Sequence, residues 1–183
     1  MKKRLQIGVM GSAADTIYSK KTEKMAEEIG EQIASTGNIT IYGAEKDTNS
    51  LSTAVAKGAK SRGGLTVGVT YGVDKKIWDN KGNTDVIIYS GLARGGGREF
   101  VLVNSCDGLI AISGGSGTMN EMLVAYQLNI SIVVIKGNGG WADKMANQYF
   151  DSRKRMKAIG VNTPMEAVAK IIQLINKQQN DKK

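Results

Sequence analysis

Short apolar runs alternate along this chain with stretches of helical periodicity, and that alternation leaves few folds open. The runs fall at 5–10, 39–42, 65–70, 85–89, 109–112 and 132–135. Between and after them lie helical patterns at 22–34, 51–60, 97–104, 118–128, 142–150 and 164–175. In the first of these, Met25, Ile29 and Ile33 recur every fourth residue and so share one helix face. A strand that is apolar at nearly every position is buried on both sides, which requires helices over both faces of a parallel sheet. The expected fold is therefore α/β, a Rossmann-like doubly wound, mostly parallel sheet flanked by helices, in a single domain over 1–183. Such sheets hold ligands at the carboxyl ends of their strands.

Local signals refine this reading. Asn49 or Ser50 suits the cap of the second helix, and Thr163 followed by Pro164 is a helix start. Phe100, Val101 and Val103 are expected to face inward from 97–104, and the polar tail 177–183 to fray.

Composition closes off whole classes of chemistry. Histidine is absent, which removes histidine triads, histidine metal ligands and histidine acid–base catalysis. The one cysteine, Cys106, rules out an internal disulfide, makes a zinc site untenable and suits a reducing cytoplasm. Cys106 itself reads as a small buried apolar residue, and the eight methionines as core filler. No apolar run approaches the roughly 20 residues of a membrane helix, so no membrane role is expected. The net charge is +8, with the densest basic groups at the two ends and at Arg153, Lys154 and Arg155. No nucleic-acid-binding motif accompanies them, and nucleic acid is not the expected partner.

The chemistry concentrates in one stretch, SGGSGTMNE at 113–121. It lies where the fifth strand would turn into a helix. Glycines there let a backbone approach a ligand, and the first amides of a helix have no internal partners and favour an anion. Gly114, Gly115, Ser116, Gly117 and Thr118 form a candidate phosphate cradle, Thr118 adding a hydroxyl donor. A tight turn with Ser116 or Thr118 as N-cap is the plainer alternative. Glu121 has two readings as well. On the first turn it can satisfy the helix dipole, or it can reach ribose hydroxyls while the amides hold a 5′-phosphate.

The same stretch resembles the PGGxGTxxE signature of the LOG family, the cytokinin-activating phosphoribohydrolases, also known as lysine decarboxylase-like proteins. Residues 98–112, REFVLVNSCDGLIAI, are similar to that family's arginine-bearing helix and the strand after it, with Arg98 at the place of its functional arginine. The start, IGVMGS at 7–12, resembles its first strand and loop, adding Gly11 and Ser12 to the expected binding residues. The likeness spans about 4–175 and is nearest the branch that contains molybdenum cofactor carrier proteins. It implies a homodimer or higher homo-oligomer that binds a phosphorylated small molecule such as AMP, with no required cofactor. It further implies either hydrolysis of the N-glycosidic bond of a nucleoside 5′-monophosphate, with Arg98 and Glu121 as catalytic residues, or a non-catalytic carrier or sensor for a nucleotide or the molybdenum cofactor. Ser113 stands where the signature has proline. Glu99 stands where the hydrolases have lysine, and the loop at 43–51 is not glycine-rich. Pyridoxal phosphate decarboxylation lacks its lysine and phosphate-cup context.

Three further expectations attach to particular residues. Arg94 with Gly95, Gly96 and Gly97 forms either a mobile loop over the pocket or a long connection with no task. Asp107 orients the fifth strand. Lys136, Asn138 and Trp141 either frame a base or belong to a structural loop.

Overall fold

In a computed structural model of the chain, residues 3–13, 16–44, 49–71, 82–93 and 96–181 are described. The strands are β1 (Gln6–Gly11), β2 (Ile39–Gly43), β3 (Leu65–Thr70), β4 (Val86–Tyr89), β5 (Gly108–Ile112), β6 (Ser131–Ile135) and β7 (Ile159–Val161). The helices are α1 (Lys20–Ser35), α2 (Leu51–Ser61), α3 (Arg98–Asn104), α4 (Ser116–Gln127), α5 (Gly140–Met145) and α6 (Pro164–Asn180). Every pairing among these strands is parallel, in the order β4-β3-β2-β1-β5-β6-β7.

The alternation of side chains along each strand sorts the core into two layers. In β5, Ile110 and Ile112 face one side while Leu109 and Ala111 face the other; in β6, Val133 and Ile135 oppose Ile132 and Val134 in the same way. The first layer packs under α1, α2 and α6, the second under α3, α4 and α5. Fully burying each Ile, Leu or Val contributes about 1.5–3 kcal/mol. Cys106 belongs to the second layer, where burial pushes its thiol far above the ordinary range and its Sγ donates to the Leu102 carbonyl.

The chain steps outward from β1 to β4, then returns to place β5 on the other side of β1. Because βαβ crossovers are right-handed, the reversal of direction also moves the covering helices to the opposite face. A crevice opens at the carboxyl ends of β1 and β5, the switch point where open α/β sheets bind ligands. Asp107 sits at the other end of β5, where it accepts from the Gln6 amide at 2.8 Å and pairs with Lys3. It orients strands, as expected.

Several expectations need correcting. The parallel sheet is as expected, but β7 was unforeseen: three half-buried residues carry too little apolar pattern to register. The helix expected at 142–150 stops at Met145 because Ala146 turns extended, with ψ 118°, and Asn147 is left-handed, with φ +61°. Phe100 does not face inward; it is 56% exposed, and Leu102 takes the core position. The tail is helical through Asn180. Ser50 and Thr163 cap α2 and α6 as anticipated.

Candidate functional site

The loop between β5 and α4 is built to present a bare helix end. Ser113 and Gly114 both turn left-handed, at φ +55° and +94°. Proline is held near φ −65°, so the signature proline cannot occupy position 113 in this backbone. Gly114 meets two constraints at once: its φ, and a Cβ that would collide with Thr118. Gly115 is the N-cap of α4 and supplies no side-chain hydrogen bond. Neither Ser116 nor Thr118 caps the helix, which sets aside the plain-turn alternative. The amides of Ser116, Gly117 and Thr118 have no carbonyl one turn back within α4 to bond to.

Other elements hold this loop from behind. The Trp141 and Ala142 amides at the start of α5 donate to the carbonyls of Gly114 and Ser113, each at 2.9 Å. Ser12 is buried; its hydroxyl accepts from the Gly114 amide at 3.0 Å and donates to Ser113 Oγ at 3.1 Å. Thr118 Oγ1 donates to the Gly11 carbonyl at 3.1 Å. Three expected roles change as a result. The Gly114 amide is already committed to Ser12. Ser12 positions the loop rather than lining the pocket. The Thr118 hydroxyl proton is directed to Gly11, not into the crevice, although Gly11 and Thr118 both line it.

The crevice is a cavity of about 500 Å³ bounded by the ends of β1 and β2 and the starts of α2, α3 and α4. Gly115, Ser116 and Gly117 form one wall; Arg98, Glu99 and Glu121 form another. All three charged side chains are buried, at 4%, 4% and 7% exposure. Arg98 Nη1 lies 3.8 Å from Glu121 Oε1, and Arg98 Nη2 lies 3.9 Å from Glu99 Oε1. These separations exceed a hydrogen bond, so the coupling is electrostatic. The guanidinium carbon stands 5.3 Å from the centre of the Tyr71 ring, a cation–π contact. A Cβ at Gly43 would collide with Arg98 Nη1, so the end of β2 must be glycine for the guanidinium to sit there. Glu121 is the sixth residue of α4, on its second turn. It is therefore not the first-turn dipole partner the sequence suggested.

The structure thus brings together Arg98, Glu121, Gly11 and 115–118, and sets Ser12 and Gly114 behind them. Sequence reasoning missed Gly43, Ser50, Ser52 and Asn120, which also line the cavity. Only the helix-start signal at Ser50 could have hinted at one of them. Lys136, Asn138 and Trp141 do not line the cavity; their loop supports 113–114 from outside. Arg94, Gly95 and much of 43–51 (residues 45–48) lie outside the described residues. Among the described residues no group of three or more Cys, Asp or Glu could hold a metal ion.

A family model for the SLOG cluster4 family matches residues 4–168. The chain belongs to the SLOG cluster4 family. This bears out the resemblance to LOG-like proteins and to their carrier branch. An uncharacterized protein of Archaeoglobus fulgidus is 34% identical over 134 residues, 73% of this chain and 82% of the relative. Among solved structures, the Moco carrier protein of Chlamydomonas reinhardtii is 31% identical with a TM-score of 0.77, covering 96% of this chain and 99% of that one. The molybdenum cofactor binding protein of Rippkaea orientalis shares the fold, with a TM-score of 0.78 at 22% identity over 96% of this chain and 99% of that one. In this family member no described helix is long and apolar enough to cross a membrane.

Proposed function

We propose that this SLOG cluster4 protein binds a nucleoside 5′-monophosphate, such as AMP, or a nucleotide-like phosphate ester, with the phosphate on the first amides of α4. The observation that carries this reading is the start of α4 at Gly115: a helix end with no side-chain cap, opening into a cavity that also holds a buried arginine. The dipole and the unpaired amides favour a dianion. Glu121 lies one turn further along, at the distance of a ribose from its 5′-phosphate, about 5 Å along the axis.

If the ligand is cleaved, water adds at C1′, the C1′–N bond breaks, and the base leaves with a proton. The Glu121 carboxylate would orient the water and stabilise the oxocarbenium-like charge; Arg98 would hold Glu121 in place. A second reading, a non-catalytic carrier or sensor, is favoured by Glu99. Its buried carboxylate shares the single guanidinium with Glu121, which weakens Arg98 as an anion ligand. The Chlamydomonas relative, a Moco carrier, supports the same reading. We also infer a cytoplasmic homo-oligomer, supported by the buried free thiol and by exposed Phe100 and Leu123 on the adjacent helices α3 and α4.

Chromatography of free base from a panel of nucleoside monophosphates tests the hydrolase. In an active protein Glu121→Gln should lower base release by at least about 10²-fold while calorimetric affinity changes little. Equal losses of affinity and rate would remove the catalytic role. No base release from any substrate, with a pterin-type ligand retained in mass spectrometry, would select the carrier.

A further inference from the structure

We propose that the turn at 149–157 is a docking point for an acidic surface on another protein. The segment YFDSRKRMK carries four cations and one carboxylate in nine residues. Arg153, Lys154, Arg155 and Lys157 are all exposed. Its single acid, Asp151, is already engaged: it accepts from the Tyr126 hydroxyl at 2.6 Å and from the Arg153 amide at 2.9 Å, and it pairs with the Arg153 guanidinium. Among the described residues, no carboxylate lies within ion-pair distance of Lys154, Arg155 or Lys157.

The turn is held in shape rather than left to fluctuate. Its ends meet at the Tyr149–Lys157 bridge, and Ala146 and Ala158 pair beside it. Phe150 and Met156 anchor it in the second core layer. Arg155 lies over the Tyr126 ring at 4.7 Å and its Nη2 donates to Gln127 Oε1 at 3.2 Å. Lys154 sits between two arginines with φ +52°, a backbone that favours glycine or asparagine. Three cations in succession along an exposed turn concentrate positive charge there. Neither feature serves the core. They do serve a partner that brings carboxylates, which guanidinium groups engage in pairs.

Single-stranded nucleic acid fits the turn less well, because bases need open aromatic faces to stack on. Here Tyr126 has Phe150 stacked at 5.0 Å and Arg155 over its ring, while Lys157 covers Tyr149 at 4.7 Å. The turn follows α5, whose first amides hold the loop at 113–114.

The test measures fluorescence anisotropy of a labelled oligoglutamate peptide and of a labelled oligothymidylate of equal charge with the full chain. One variant reverses the turn, Lys154→Glu with Lys157→Glu. A control reverses two exposed lysines on α1, Lys21→Glu with Lys24→Glu, which lie on the opposite face of the sheet. Lys154→Asn, which tolerates the left-handed backbone, separates charge from folding, and melting temperatures check that all variants are native. The turn variant should weaken peptide binding at least about tenfold, and the control less than about threefold. Equal losses from the two reversals would reduce the effect to net charge and overturn the proposal. Tighter binding of the oligothymidylate, or no binding of the peptide by the parent chain, would overturn it too.

Discussion

Gly114 and Gly115 are adjacent, yet they should fail in opposite ways when replaced. Gly115 has φ −90° and ψ −156°, an extended conformation open to any residue, and a Cβ there meets only Thr16 Cγ2 at 3.6 Å. Gly115→Val should therefore fold, at the cost of a poorer N-cap, about 1 kcal/mol or less. For a chain of this size that is a fall in melting temperature of up to about 4 °C. Its methyl groups would stand over the first amides of α4 and exclude an anion. Gly114→Ala places a side chain at φ +94° and against Thr118. The left-handed backbone alone costs about 1–2 kcal/mol, and melting should fall by at least about 2–8 °C. AMP at a hundredfold excess over its dissociation constant contributes about 2.7 kcal/mol. That raises the melting temperature of the parent chain by about 5–11 °C. Differential scanning fluorimetry with and without AMP reads both quantities. Gly115→Val should lose the AMP shift and keep its baseline, whereas Gly114→Ala should lose baseline stability. Full AMP protection in Gly115→Val would place the anion elsewhere. A neutral Gly114→Ala would refute the geometry of the loop.

Two other expectations concern charge. Gly43→Ala should drive the Arg98 guanidinium out from between Glu99 and Glu121, leaving buried carboxylates behind, and cost about 3–5 kcal/mol in chemical denaturation. In an Arg98→Met background the same alanine should cost markedly less; additive losses would mean that the glycine is not there for the arginine. At the surface, hydrogen bonds from Arg153 and then from the Tyr126 hydroxyl hold the Asp151 carboxyl down at about 2, outweighing a small rise from burial. Burial raises Asp85, but hydrogen bonds from Lys60 and Thr66 prevail and its carboxyl also lies low. Both folded values sit below the unfolded value of about 3.9, so their stabilisation is present above about pH 4 and is lost as pH falls toward 2. Asp151→Asn should flatten the fall of melting temperature across that window, and an unchanged slope would sink the assignment.

The alternating apolar runs were enough to establish a doubly wound sheet, because a strand buried on both faces shows that burial in its own residue types. Glycines, caps and the 113–121 motif were legible for the same reason: each acts within a few residues of itself. Glu121 and 115–118 were therefore singled out by the motif itself, whereas Gly11 and Arg98 were expected only from the family resemblance. What escaped was everything that depends on distant segments meeting. The need for Gly43 exists only because α3 delivers a guanidinium to the end of β2. The Gly114 amide and the Thr118 hydroxyl looked available until β1 brought Ser12 and the Gly11 carbonyl against them. Glu121 changed from a first-turn acid to a buried partner of Arg98 once α4 was seen to begin at Ser116. Local propensity is written in neighbouring residues, whereas the partner of a polar atom is chosen by topology, and here the return of the chain to β5 made that choice.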